Sequence, residues 1–328
     1  MTRCKSPSLF FWAWCLLCPL LLGQAKAQDR LVDDSYSPAE RLARYQGANP
    51  ELRLPVLRFS QGQQVLFERP YRQLGQRQLR LDLFKAVSAK AANPGIVLVH
   101  GGGWRAGDKS HFYALANLLA QRGYVVLLPQ YRLSIEAPYP AGLEDVNQAI
   151  LWAKAHAKDI GLDPSRLALG GGSSGGQMAA LLANTAHLPL FKPQGQGDTQ
   201  VMALVDLDGV LDFTSPLALA HENKNGSRSA AALWLGGSFE AVPQRWRQAS
   251  AVSHLSAQSP PALVISSGQG RFTAGKEAFF NGLDRFGVAH RYLELDTVHP
   301  FWLFDPYLDQ VAKAVDDFLR QQGQGEAN

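Results

Sequence analysis

Apolar residues along this chain follow two patterns, and the change from one to the other organises it. Val65-Leu66-Phe67 and Leu79-Arg80-Leu81-Asp82-Leu83-Phe84 are short strand-like runs, and the second alternates like a half-buried edge strand. From Ile96 onward the runs are continuous: Ile96 to Val99, Tyr124 to Leu128, Leu167 to Leu169, Val201 to Val205, Ala262 to Ile265 and, last, Arg291 to Leu295. Helical stretches separate them at Ala114 to Gln121, Leu143 to His156, Gln177 to Thr185 and Gly275 to Phe286, with a C-terminal helix around Leu308 to Leu319. Strands apolar on both faces, alternating with helices, predict an α/β class: a mostly parallel central sheet with helices on both faces. Ligands in such a sheet bind at the carboxyl ends of the strands.

The longest interruption between core strands runs from Phe213 to Pro261 and precedes the penultimate strand. Leu233-Trp234-Leu235-Gly236-Gly237 and Trp246 in it predict an ordered helical insertion, either a lid or acyl-pocket wall or simple packing over the sheet. Residues 28–61 form a polar extension in which Ser37-Pro38-Ala39-Glu40 offers a helix start. Ahead of it, Arg3 and Lys5 precede an apolar stretch from Leu9 to Leu22, and Ala25-Lys26-Ala27 offers small residues at cleavage positions. Residues 1–27 therefore look like a secretory signal peptide, too short and too broken at Pro19 for a transmembrane helix, which predicts a secreted or periplasmic protein without a stable membrane anchor. The expected organisation is leader 1–27, extension 28–61, catalytic domain 62–322 with its insertion at 213–261, and a disordered tail 323–328.

Charge and cysteine usage narrow the chemistry. Among 328 residues, 46% are hydrophobic and 18% charged, enough for one large core. The net charge of +4 owes three units to Arg3, Lys5 and Lys26 in the leader, leaving +1 without it, so no basic nucleic-acid patch is expected. All three cysteines, Cys4, Cys15 and Cys18, also lie there. The remainder has no thiol nucleophile and no thiolate metal site.

The chemistry-bearing run is Leu167-Ala168-Leu169-Gly170-Gly171-Gly172-Ser173-Ser174-Gly175-Gly176-Gln177-Met178-Ala179: strand, glycine turn with serine at the tip, then helix. It matches the nucleophile elbow G-x-S-x-G, in which a serine hydroxyl is held clear of both flanking elements. Two registers fit, and the strand and helix flanks favour Ser173 over Ser174. The same glycines spell G-x-G-x-x-G, but a dinucleotide loop follows the first strand of its unit, and several strands precede this one. His100-Gly101-Gly102-Gly103-Trp104 follows another core strand, and its N–H groups suit an oxyanion, with donors expected from Gly102, Gly103 and Ser174. His100 is expected to brace that loop.

Of the eight histidines, His299 sits where a general base belongs, after the last strand and before the final helix. His111, His156, His187, His221, His254 and His290 are expected at the surface. The acid is harder to find, because no Asp or Glu occurs between Glu240 and Glu277, which empties the loop after the penultimate strand. Asp208, Asp296 and Glu277 are the alternatives, and Asp208 is preferred because it ends a core strand.

These motifs, with Gln130-Tyr131-Arg132-Leu133-Ser134, Tyr139-Pro140-Ala141-Gly142-Leu143-Glu144-Asp145 and Asp163-Pro164-Ser165-Arg166, resemble the α/β-hydrolase esterases that include bacterial feruloyl and acetyl esterases and hormone-sensitive-lipase-like enzymes. The resemblance spans about residues 62–322. It implies the α/β-hydrolase fold and a serine carboxylesterase that needs no cofactor or metal and acts on a small-molecule or polysaccharide ester. Leu207-Asp208-Gly209-Val210, Arg271-Phe272-Thr273-Ala274-Gly275 and His299-Pro300-Phe301-Trp302 resemble a subgroup from exported polysaccharide-degrading bacteria, which points to acetyl or feruloyl-type esters of plant cell-wall carbohydrate. A peptidase or formamidase on the same fold, and a carbohydrate-binding protein with a decayed triad, are the competing readings.

Overall fold

The computed structural model describes residues 1–2, 36–87, 92–192 and 197–324. Residues 3–27 of the expected leader, with its cleavage site, lie outside the described residues, as do residues 325–328. The described residues from 36 to 324 belong to one compact unit.

Eight strands, β1 (Val65–Leu74), β2 (Arg77–Phe84), β3 (Asn93–Val99), β4 (Val125–Pro129), β5 (Leu162–Gly172), β6 (Leu204–Leu207), β7 (Ala262–Ser266) and β8 (His290–Glu294), make one sheet in the order β1-β2-β4-β3-β5-β6-β7-β8. β1 and β2 form an antiparallel pair, β2 is antiparallel to β4, and the remaining neighbours are parallel. The helices are α1 (Pro38–Tyr45), α2 (Tyr113–Gln121), α3 (Ala141–Ala155), α4 (Ala157–Ile160), α5 (Ser174–Thr185), α6 (Pro216–Glu222), α7 (Ala230–Leu235), α8 (Pro243–Gln248), α9 (Lys276–Arg285) and α10 (Leu308–Gln324).

The continuous apolar runs form the centre of the sheet because both of their faces are buried. Val97 and Val99 of β3 join a core with α3, α5 and α9, while Ile96 and Leu98, one residue out of phase, join a second core with α2 and α10. Successive strand side chains point to opposite faces, so one run feeds two cores.

Four expectations are corrected. β2 is not an edge strand: it lies between β1 and β4, and β1 takes the edge. β1 is ten residues long, its polar positions facing outward where periodicity gave little signal. The run at Val201 becomes strand only from Leu204. The first two residues of the expected tail, Gly323 and Gln324, instead close α10, and the rest of that tail lies outside the described residues.

Local chemistry explains several boundaries. Ser37 caps α1, its hydroxyl accepting from Glu40 N–H at 3.2 Å, and Pro38 follows at the first helical position. The extension then joins the main body: Leu52 is buried in the second core, and Arg53 pairs with Asp305 through two backbone hydrogen bonds of 3.2 and 3.0 Å. The insertion holds α6, α7 and α8, and it buries Trp234 and Trp246 in the first core.

Candidate active site

Loops from five parallel strands converge at their carboxyl ends. β3 leads to His100-Gly101-Gly102-Gly103, β5 to Ser173, β6 to Asp208, β7 to Arg271-Phe272 and β8 to His299.

Ser173 stands between β5 and α5 with φ 56° and ψ −123°, a left-handed conformation costly for a side-chain-bearing residue. Its N–H donates to Leu207 O at 2.8 Å and its carbonyl accepts from Gln177 N–H at 3.0 Å, which pins the turn on both sides. The turn also lies close against β3: a Cβ on Gly171 would come 2.7 Å from Val99 O, and one on Gly175 would overlap the same oxygen. Trp104 and Asp208 also have positive φ, 61° and 54°. Three of the seven non-glycine residues with positive φ among the described residues thus line this one cavity.

His299 is 6% exposed and bridges the constellation. Its Nδ1 lies 2.9 Å from Asp208 Oδ2, and its Nε2 lies 2.8 Å from Ser173 Oγ. The carboxylate fixes the tautomer: Nδ1–H donates to Asp208, leaving Nε2 to accept from the serine hydroxyl. Asp208 is held in turn by Ser267 N–H, which donates to Oδ1 at 2.9 Å. Burial lowers the His299 pKa below the ordinary histidine value and Arg271 adds to that, while Asp208 opposes it. Glu277 and Asp296, the other candidate acids, are exposed, on α9 and just past β8 respectively.

Beside Ser173 lies a cavity of about 160 Å³, with Gly103, Ser173, Ser174, Asp208, His221, Glu222, Ala230, Arg271 and Phe272 among its walls. Gly103 and Ser174 therefore reach it directly. Ser174 is the first residue of α5, so its N–H is one of those a helix leaves without an intrahelical partner. Gly102 is set behind Gly103, in a turn closed by Ala106 N–H on Gly102 O at 3.0 Å. Trp104 is anchored two ways, its indole N–H donating to Gln177 Oε1 at 3.0 Å and its ring stacking on Trp234 at 4.8 Å, and Gln177 is itself held by donating to Ala249 O at 2.9 Å. His100 is buried and stacked on Tyr131 at 4.4 Å, whose hydroxyl donates to His100 O at 2.9 Å.

Three features escape pattern reading. His111 is buried, not at the surface, and burial pushes its imidazole down to about 3, so it stays neutral. His221 lines the cavity instead of lying free on the surface. Asp206, two residues before Asp208, is fully buried; one oxygen accepts from Gly209 N–H at 2.9 Å, and burial beside the Asp208 charge raises its pKa well above the carboxylate range. Only the alternation along β6, which places 206 and 208 on one side, hints at the last of these. Among the described residues no group of three or more His, Cys, Asp or Glu side chains is arranged to hold a metal ion.

Eight mostly parallel strands with a strained serine between β5 and α5, and a histidine and a carboxylate arriving from later strands, define an α/β-hydrolase fold. A family model described as BD-FAE matches residues 81–272, more than half of the chain, and the chain belongs to the BD-FAE family. Among curated relatives, the probable carboxylic ester hydrolase LipM of Mycobacterium tuberculosis is 33% identical over 174 residues, covering 52% of this chain and 40% of that protein. Esterase LipQ of the same organism is 30% identical over 233 residues, 69% of this chain and 55% of that protein. The chain thus spans about half the length of the curated relatives it matches.

Solved structures agree on the fold. A truncated form of a carbohydrate esterase from gut microbiota superposes with a TM-score of 0.67 at 22% identity, over 82% of this chain and 99% of that one. Thermogutta terrifontis esterase 2, phosphoramylated by tabun, does so with 0.64 at 21% identity, over 82% and 97%.

Proposed function

We propose that this chain is an exported serine carboxylesterase that removes short acyl groups, acetyl foremost, from hydroxyl-rich alcohols such as plant cell-wall carbohydrate. The observation that carries the reading is the unbroken line Asp208–His299–Ser173, two hydrogen bonds of 2.9 and 2.8 Å, ending at the cavity. In it Ser173 is the nucleophile, His299 the general base and Asp208 the orienting acid. His299 takes the serine proton as Oγ attacks the ester carbonyl, and the oxyanion accepts hydrogen bonds from Gly103, Ser174 and Gly102. Collapse expels the alcohol, which receives that proton, and water repeats the sequence on the acyl-enzyme.

Acyl size follows from space. A pocket near 160 Å³ is close to the roughly 150 Å³ that holds benzene, which favours a short acyl group such as acetyl over a longer feruloyl one. His221, Glu222 and Ala230 come from the insertion, which makes that segment a wall of the acyl pocket. Arg271, His221 and Glu222 give the wall polar groups suited to hydroxyls. Support for a carbohydrate alcohol comes from those groups and from the sequence resemblance, and support for export from residues 1–27 with their Arg3 and Lys5 flank. Among the described residues no helix is long and apolar enough to cross a membrane.

Because the active base is neutral His299, kcat/KM should hold as pH falls below the ordinary histidine value of about 6.5 and drop only as His299 protonates beneath it. Purified protein should cleave p-nitrophenyl acetate faster than methyl ferulate, leave matched amides intact, and take up a fluorophosphonate on Ser173. Faster amide cleavage would move it to the peptidase class. A protein that neither hydrolyses nor labels would be the carbohydrate-binding alternative.

A further inference from the structure

The loop between β7 and α9 contains no carboxylate, and the structure shows what occupies it. Phe272 lies face to face with the His299 imidazole, ring centroids 3.3 Å apart and planes 8° from parallel. Trp302 meets the same imidazole edge-on, 5.3 Å away at 89°. Arg271 covers Phe272 in turn, its Cζ 4.0 Å from the ring centroid. A guanidinium and an imidazole at these distances cannot share one face of a phenyl ring, so the three groups form a stack. Its outer end is tied down by Arg271 Nη1, which donates to His221 Nε2 at 3.0 Å. Arginine has no acceptor, so that histidine nitrogen carries no proton. The inner end is tied by Gln269 Nε2, which donates to Thr297 O at 3.2 Å and joins this loop to that of His299.

Hydrogen bonds at Nδ1 and Nε2, together with the Cβ tether, fix where the imidazole sits but still let its plane tilt. A ring pressed on its face removes the remaining freedom. We infer that Phe272, clamped by Arg271, is a positioning residue for His299, fixing the plane in which the imidazole passes a proton and keeping water off its open face. The inference rests on the reading of His299 as the base. The carboxylate that the loop lacks has its counterpart at Asp208, and the loop braces the base from the side instead of orienting it through Nδ1.

The charged groups acting on His299 are Asp208 at Nδ1, which favours the imidazolium, and Arg271, which opposes it; burial opposes it most. Around Arg271 stand His221, neutral at Nε2, and Glu222 in the same cavity wall. Opening the stack admits water to the imidazolium, and removing the guanidinium lifts a repulsion. Both changes favour protonated His299, so both move the acid limb of kcat/KM to higher pH.

The test is the pH profile of p-nitrophenyl acetate hydrolysis for wild type, Phe272→Ala, Phe272→Leu, Phe272→Tyr and Arg271→Gln, with a melting curve for each. Phe272→Ala and Phe272→Leu should raise the acid limb by about 0.5–1 pH unit and lower kcat roughly tenfold with KM nearly unchanged. Phe272→Tyr should restore both, and Arg271→Gln, which also takes a polar group from the pocket wall, should give a smaller rise in the acid limb, read from the pH profile independently of any change in KM. A limb that stays put in folded Phe272→Leu and Arg271→Gln proteins, or a tyrosine variant no better than the alanine one, overturns the inference and leaves Phe272 as packing. An inactive, unlabelled wild type overturns the esterase reading instead.

Discussion

The two sides of the site are built differently. On the serine side, Ser173, Ser174 and the glycines around them lie within a few residues of one another, and the turn is pressed onto β3 so tightly that a single methyl group does not fit. On the base side, Asp208, Phe272 and His299 come from three loops, joined only because β6, β7 and β8 are adjacent and parallel. The first is rigid because its backbone is strained and confined. The second is ordered by hydrogen bonds and stacked rings, so losing a partner there should change reactivity before it changes folding.

Substitution can break this contrast at several points. Ser173→Ala should lower kcat for p-nitrophenyl acetate by about 10⁴-fold or more while the melting temperature holds, since it removes one hydroxyl; residual turnover near wild type would point to Ser174. Asp208→Asn keeps the shape but presents an amide to Nδ1 and permits the wrong tautomer, so a loss of about 10³–10⁴-fold is expected. Equal losses from Asp296→Asn or Glu277→Gln would contradict the assignment of the acid. Gly175→Ala tests the confined side: its Cβ overlaps the Val99 and His100 carbonyls, and overpacking there should cost about 3 kcal/mol in urea unfolding. A variant as stable as wild type would mean the elbow has slack.

The smallest effect concerns Asp206. Its raised pKa keeps it protonated in the fold, whereas the unfolded chain ionises it at about 3.9, so this residue makes stability fall as pH rises above that value. Asp206→Asn removes the titration, and its melting temperature should depend less on pH between 4 and 8 than that of wild type. Activity should stay within about threefold, since the Gly209 N–H keeps its acceptor oxygen. An unchanged pH dependence would show that Asp206 is ionised beside Asp208.

The core strands were legible in the sequence because burial on both faces writes itself as uninterrupted Val, Ile and Leu, and the elbow was legible because its chemistry is local. β1 was only partly legible: an edge strand with polar side chains in solvent carries little hydrophobic signal. The choice among Asp208, Asp296 and Glu277 could be ranked but not made, since it depends on a 2.9 Å contact between residues 91 positions apart. Phe272 stood out only as part of the run Arg271 to Gly275, with nothing to mark its contact with His299, because an aromatic in a loop looks the same whether it packs on a histidine or on solvent-facing aliphatics.

By itself the sequence determined the class of fold, the turn that carries Ser173 and the glycine loop facing it, all written in short-range patterns that fix backbone conformation. Only the tertiary structure decided which carboxylate meets His299, which ring lies on its face and how large the cavity beside Ser173 is. Those depend on strand order and on side-chain distances of a few ångströms, and neither is encoded in any local stretch of chain.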